Sequence, residues 1–320
     1  MRDHGGNCDA AKAQYGGVDW IDLSTGINRQ PWPVPDLPAH VWTDLPTATA
    51  KAALLDAAAA AFGTPAPGVA LAGAQQAIQL IPRLWAPGRA RVLGPTYNEH
   101  AAALRAAGWQ VEEVSTLGAL AGADLAVVVN PNNHDGQRHP APALRALSLQ
   151  VGRLVVDESF ADASPEASVT AKASRRMLVL RSFGKFYGLA GLRLGFVFAD
   201  AATVAALSEM AGPWPVSGPA LEIGRRALLD RNWAMATALR LGGETMRLDA
   251  LAARAGWRLV GGTALFRTYA TPDAAAAQDR LARARIWSRV FPYAAEWLRL
   301  GLPGHESEWM RLEKALTDEL

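Results

Sequence analysis

The sequence predicts an α/β protein in which an open, mostly parallel sheet, covered by helices on both faces, is followed by a smaller α+β domain. Three observations carry this. Short apolar runs rich in β-branched residues recur between helical stretches from Val69 to Phe198. The runs are apolar throughout, as in Leu125 to Val129, which suits strands buried on both faces. The pattern then breaks at Pro213, Pro215 and Pro219, beyond which long helices and two further strand-like stretches follow. Strands alternating with helices argue for a doubly wound sheet.

Residues 1–46 read as an arm, because Pro31, Pro33, Pro35 and Pro38 fix their own φ and restrain the residue before each. This arm is expected to contribute to the small domain and to the active site. From Thr47 to Phe62 the chain reads as a helix with Thr47 as its cap and an apolar side at Leu54, Leu55, Ala58 and Phe62. Val69 to Leu71 is a strand, and Ala74 to Trp85 is a helix that Pro82 either kinks or shortens. Arg91 to Leu93, Gln110 to Val114, Leu125 to Val129, Leu154 to Val156, Met177 to Leu180 and Leu194 to Phe198 are strands, with a helix at Glu99 to Ala107. Residues 47–212 thus form the large domain. Residues 213–320 form the small one, with helix from about Leu221 to Ala253, sheet at Arg258 to Tyr269 and Glu296 to Leu300, and helix at Glu306 to Leu316.

Length and composition restrict the function. At 320 residues the chain is near the upper size for a single core, which favours two domains. Lys and Arg number 32 against 30 Asp and Glu, too even a balance to suggest a nucleic-acid partner. Cys8 is the only cysteine, so neither an intrachain disulfide nor a Cys-rich metal site can form, and no metal is expected. The first residues carry no apolar signal-like stretch, and the run Gly188 to Ala199 is interrupted by Arg193 and too short to span a bilayer. A cytoplasmic chain without membrane association is the expectation.

In a doubly wound sheet, ligands bind beyond the carboxyl ends of the strands. Tyr97, Asn130 to Asn133, Asp157, and Ser182 with Lys185 all follow predicted strands there. Lys185 sits among Phe183, Gly184, Phe186, Tyr187 and Gly188, where its amine reads either as an imine-forming nucleophile or as a surface-loop lysine. Asp157 ends a buried strand, and such a carboxylate needs a partner: a protonated pyridine nitrogen, a magnesium ion or a helix N-terminus. Gly73-Ala74-Gln75-Gln76 opens a helix after a strand, which suits a phosphate monoester or is an ordinary βα turn. No GxGxxG and no GxxxxGK[ST] motif is present.

Ser182 and Arg193 offer a hydroxyl and a cation to a phosphate. Tyr97 can stack on a ring, and Asn133 can donate to an oxygen on it. Arg299, in Trp297-Leu298-Arg299-Leu300-Gly301, reads as a clamp for a carboxylate or as an edge-strand arginine facing water. His4, His134, Arg138 and His139 read as solvent-facing unless the substrate carries a second anion.

Together these motifs resemble the fold-type I pyridoxal-phosphate-dependent aminotransferase superfamily, in the branch holding histidinol-phosphate aminotransferases and the threonine-phosphate decarboxylases of cobalamin biosynthesis. The resemblance rests on Ser182-x-x-Lys185 followed by Gly191-Leu192-Arg193-Leu194-Gly195, on Asn132-Asn133-His134-Asp135-Gly136, and on Asp157-Glu158. It implies that pyridoxal 5'-phosphate is bound as an imine by Lys185, with Asp157 on the pyridine nitrogen, Asn133 at the ring oxygen and Tyr97 stacked on the ring. Backbone groups at Ala74 and Gln75, with Ser182 and Arg193, would hold the phosphate, and Arg299 the substrate carboxylate. It further implies a homodimer.

His4-Gly5-Gly6, Leu23 to Asn28, Lys185-Phe186-Tyr187-Gly188 and Trp297 to Gly304 are similar to the decarboxylases. They favour decarboxylation of L-threonine O-3-phosphate over histidinol-phosphate or related amino transfer. The substrate's own phosphate would need another anchor, for which His4, Asn28, Arg138 and His134 are candidates.

The chain departs from the wider pattern at four positions. His134 replaces a proline, Phe160 a ring-oxygen-bonding tyrosine, Trp42 a tyrosine reaching the partner's cofactor phosphate, and Gly184 a hydroxyl residue.

Overall fold

The computed structural model describes residues 4–317. Its chain falls into two compact units, one formed by Trp32–Asn133 with Arg138–Ala234, the other by the stretches ending at Pro31 and beginning at Met235 together with His134–Gln137. These bounds differ from breaks drawn at 46/47 and 212/213. Trp32 is held in the larger unit, where its N–H donates to the Tyr187 carbonyl at 2.9 Å and its indole Nε1 to Asp230 at 3.1 Å. The helix Gly218–Leu229 packs there too, where Gly224 lets Leu54 and Leu194 approach its backbone closely.

The larger unit contains a seven-stranded sheet: β1 (Gly68–Leu71), β2 (Arg89–Leu93), β3 (Gln110–Val114), β4 (Leu125–Val129), β5 (Arg153–Asp157), β6 (Met177–Ser182) and β7 (Gly195–Phe198), in the order 1-7-6-5-4-2-3. All neighbours are parallel except β7, which is antiparallel to both β1 and β6. The apolar run at β7 therefore reports burial, not direction. Thr47 caps the helix Ala48–Phe62 by accepting from the Ala50 N–H, an interaction typically worth about 1 kcal/mol. The helix after β1 stops at Leu80 and tightens to a 3-10 turn at Ile81–Arg83, where Pro82 has no N–H to continue it.

Successive side chains of a strand point to opposite faces. Leu125, Val127, Val155, Leu178 and Leu180 pack on one face with Ala77, Ile78, Ala101 and Leu104 of the helices Gly73–Leu80 and Glu99–Ala106. Ala126, Val128, Leu154, Val156, Met177 and Val179 form the opposite core with Leu144 and Leu147. By this alternation Asp157 and Ser182 belong to the first face, and Arg181 to the second.

The smaller unit holds a four-stranded antiparallel sheet of β8 (Arg258–Thr263), β9 (Phe266–Ala270), β10 (Arg289–Phe291) and β11 (Ala294–Gly301), in the order 10-11-9-8. The stretch Arg258 to Tyr269 is thus a hairpin. Gly261 and Gly262 serve close approach: a Cβ on Gly261 would lie 2.2 Å from the Asp135 carbonyl oxygen, and one on Gly136 would lie 2.2 Å from that of Gly262. This docks the four-residue insert His134–Gln137 against the sheet. A two-residue pairing of Ile21–Asp22 with Ile286–Trp287 ties in the N-terminal stretch, which also contains a helix at Cys8–Tyr15. No helix among the described residues is long and apolar enough to cross a membrane.

Candidate active site

In the larger unit, Asp157 and Ser182 end β5 and β6, Asn133 lies in the turn that follows β4, and a one-turn helix Phe183–Phe186 follows β6 directly and presents Lys185. Lys185 is half-buried, with its Nζ 4.7 Å from the centre of the Phe160 ring. Asp157 is 3 % exposed. Its Oδ2 lies 2.9 Å from His100 Nε2, and its Oδ1 accepts from the Ser159 N–H at 2.9 Å.

Burial alone would raise the Asp157 pKa. The hydrogen bond and charge of His100, the Lys185 ammonium and the Ser159 N–H outweigh it and hold the carboxyl at about 2. A buried, fixed anion of this kind suits a cationic partner. The influence of Lys185 on Asp157 also places the two groups in one neighbourhood.

Tyr97 and His100 sit three residues apart at the start of the helix Glu99–Ala106, their rings 6.3 Å apart edge to face. The Tyr97 hydroxyl donates to Gln75 Oε1 at 3.1 Å, and Gln75 Nε2 donates to Glu99 at 3.1 Å. The helix Gly73–Leu80 begins at Gly73 in a left-handed conformation with φ 79°. A Cβ there would lie 2.8 Å from Arg193 Nη2, and a Cβ on Gly195 would lie 2.4 Å from the Ala74 nitrogen. Glycine at both positions keeps open a cradle of first-turn N–H groups beside a guanidinium, a favourable site for a phosphate. Arg193 is exposed and donates to the Ala190 carbonyl.

An amine at Lys185, a buried anion at Asp157, an amide at Asn133, the ring of Tyr97 and a glycine-lined helix N-terminus fit pyridoxal phosphate as a set. Each matches one chemical feature of it: aldehyde, ring nitrogen, ring oxygen, aromatic face and phosphate.

The smaller unit contains Arg299, which is 2 % exposed and lies on β11 between β9 and β10, not on an edge. Its Nη2 donates to the Ser24 carbonyl at 2.7 Å and its guanidinium lies 4.9 Å from the Phe266 ring centre. Directly opposite in register is Arg289 on β10, also buried. Two like charges facing each other across strands are unfavourable unless an anion is drawn between them. Sequence reasoning missed Arg289. Its signal was an arginine alternating with Trp287 and Phe291 in a short apolar segment.

The four phosphate-anchor candidates fare differently. His4 and Arg138 are exposed. Asn28 is buried, and its Oδ1 accepts from Arg240 at 2.9 Å and from the Gln30 N–H at 3.0 Å. His134 is not solvent-facing as the sequence suggested; it is 4 % exposed, because the carbonyl of His134 is bonded by Thr268 Oγ1 and the glycines of β8 draw its segment onto the sheet.

Two further networks escaped sequence reasoning. His100 stands on the helix face otherwise lined by Ala101, Ala103 and Leu104, where an isolated imidazole aimed at the core needs a partner. On the opposite face of the sheet, buried Arg181 pairs with Glu158 at 2.9 Å and Asp162 at 3.1 Å. Glu158, the second residue of the Asp-Glu strand end, is thus taken up by a structural ion pair.

The aminotransferase class I and II family matches this chain over residues 34–313. The threonine-phosphate decarboxylase of Pseudomonas aeruginosa is 42% identical over 99% of this chain and 97% of its own length. Among solved structures, histidinol-phosphate aminotransferase from Sinorhizobium meliloti, in complex with pyridoxal-5'-phosphate, superposes with TM-score 0.83 at 20% identity, covering 97% of this chain and 93% of that one. L-threonine-O-3-phosphate decarboxylase from Porphyromonas gingivalis does so with TM-score 0.77 at 18% identity, covering 92% and 98%. At such identities the two structures speak for the fold.

Proposed function

From the premise that this chain belongs to the class I and II aminotransferase family, we propose that it is a pyridoxal-phosphate-dependent carboxy-lyase acting on L-threonine O-3-phosphate. The products are carbon dioxide and (R)-1-amino-2-propanol O-2-phosphate. The observation that carries this is the 42% identity, along almost the whole of both chains, to a threonine-phosphate decarboxylase. A cytoplasmic homodimer serving cobalamin biosynthesis completes the reading.

When bound, the cofactor supplies an aldehyde that captures amines and a protonated ring that accepts the electron pair released as the Cα–carboxylate bond breaks. The chain's own groups do the rest. Lys185 would supply the amine that holds the cofactor and a proton donor at Nζ for Cα. Asp157 keeps a negative charge opposite the ring N–H, held ionised by His100. Asn133 bonds the ring oxygen and Tyr97 covers the ring face. Ser182, Arg193 and the N–H groups of Ala74 and Gln75 bind the cofactor phosphate.

Arg299 and Arg289 supply two buried cations for a substrate that carries two anionic groups, carboxylate and phosphate. Holding the substrate by both anionic groups would restrict its orientation and so which bond to Cα is presented for cleavage.

The test is incubation of the cofactor-loaded protein with L-threonine O-3-phosphate in the absence of any amino acceptor. Carbon dioxide and phosphorylated aminopropanol are expected in equal amounts. Neither product, together with efficient amino transfer from histidinol phosphate to 2-oxoglutarate, would replace this function with an aminotransferase.

A further inference from the structure

Buried polar atoms are rarely left without a hydrogen bond, and those that are call for a ligand or a role. In the smaller unit His134 is such a case. Its Nδ1 lies 2.5 Å from the Tyr293 hydroxyl, while its buried Nε2 has no hydrogen-bond partner. The ring is wedged against Phe291 at 4.8 Å and Tyr293 at 5.5 Å between centroids, so it cannot swing out to water cheaply. Its closest ionic influences are the buried Arg289 and Arg299.

We propose that His134 is a specificity-determining residue that donates a neutral hydrogen bond from Nε2 to the phosphate monoester of the substrate, beside Arg289 and Arg299. The inference deepens the proposed function and rests on it for the identity of the substrate.

Burial, with Arg289 and Arg299 nearby, pushes the imidazole down to about 3, so it is neutral at working pH. A neutral imidazole has one N–H. When Tyr293 donates to Nδ1, that N–H is on Nε2. Two guanidinia repel an N–H dipole aimed at them but attract an anion, and an anion held between them meets Nε2–H as a third donor. A phosphate has three terminal oxygens to satisfy where a carboxylate has two.

The experiment uses cofactor-loaded protein, in which the cofactor's own phosphate cradle is filled, and titrates inorganic phosphate by calorimetry. His134→Phe is expected to weaken phosphate binding about tenfold or more, the loss of one hydrogen bond to a charged group, and to raise KM for threonine phosphate more than it lowers kcat. His134→Gln, which keeps a distal N–H donor, is expected to recover most of the affinity. Tyr293 is half-exposed, so Tyr293→Phe provides a variant with little risk to folding, and a loss of about threefold is expected as the tautomer is released.

Unchanged phosphate affinity in folded His134→Phe and Tyr293→Phe overturns the proposal. So does an equal loss of acetate binding, which would mean that His134 senses charge alone. If threonine phosphate is turned over while His134 proves silent, the subsite falls and the function stands. If His134 controls phosphate binding but threonine phosphate is inert, the reverse holds.

Discussion

His100 Nε2 lies 2.9 Å from Asp157 Oδ2, with both side chains almost completely buried. The pair arises because Asp157 continues the strand face on which the helix Glu99–Ala106 packs. An uncompensated carboxylate there would take up a proton, and a neutral acid cannot balance a protonated ring nitrogen. His100→Phe is therefore predicted to lower cofactor affinity by about ten- to a hundredfold, the usual cost of a lost hydrogen bond to a charged group. Fluorescence titration of the protein with cofactor checks this. Wild-type affinity in the folded variant would mean that Asp157 is held ionised by other groups.

His134 couples folding to pH with a definite sign. Its imidazole titrates near 6.5 in the unfolded chain and at about 3 in the fold. Between those values the unfolded chain binds the extra proton, so stability falls as pH drops through the window, by up to about 1.4 kcal/mol per pH unit. His134→Phe removes this term. Denaturant unfolding between pH 6.5 and pH 4 is predicted to lose stability less steeply in the variant, and parallel profiles would show that His134 is not held neutral.

Gly184 explains one departure from the wider pattern. A Cβ at this position would lie 2.6 Å from the Ala190 Cα, so the one-turn helix bearing Lys185 packs backbone against backbone and leaves no room for a hydroxyl residue. Gly184→Ser is predicted to cost about 1–3 kcal/mol of stability through overpacking and to displace Lys185. Thermal unfolding checks the first effect, and weaker cofactor retention the second. A variant as stable as wild type would imply that Ala190 yields readily.

The fold was legible because buried strands write themselves as unbroken apolar runs, and so was the placement of Asp157 and Ser182 at strand ends, with Lys185 just beyond one. Direction was not: the apolar content of Gly195–Phe198 is the same whichever way the strand runs. The long helical stretch after Leu221 concealed a break at Asp230, whose side chain binds Trp32 across more than half the chain's length. His134 was misjudged because its neighbours Asp135, Gln137 and Arg138 are polar. Its burial comes from close backbone approach at Gly261 and Gly262, far away in sequence. Arg289 and His100 were lost for a similar reason: each acquires meaning only from a partner on another element.

The central claim is that Lys185 is the amine that carries the cofactor. The direct measurement is borohydride reduction of the cofactor-loaded protein followed by peptide mass analysis. The account predicts a single modified peptide containing Lys185, and its loss in Lys185→Ala. Modification at Lys12, Lys51, Lys172 or Lys314, or a reducible bond that persists in the variant, would contradict it.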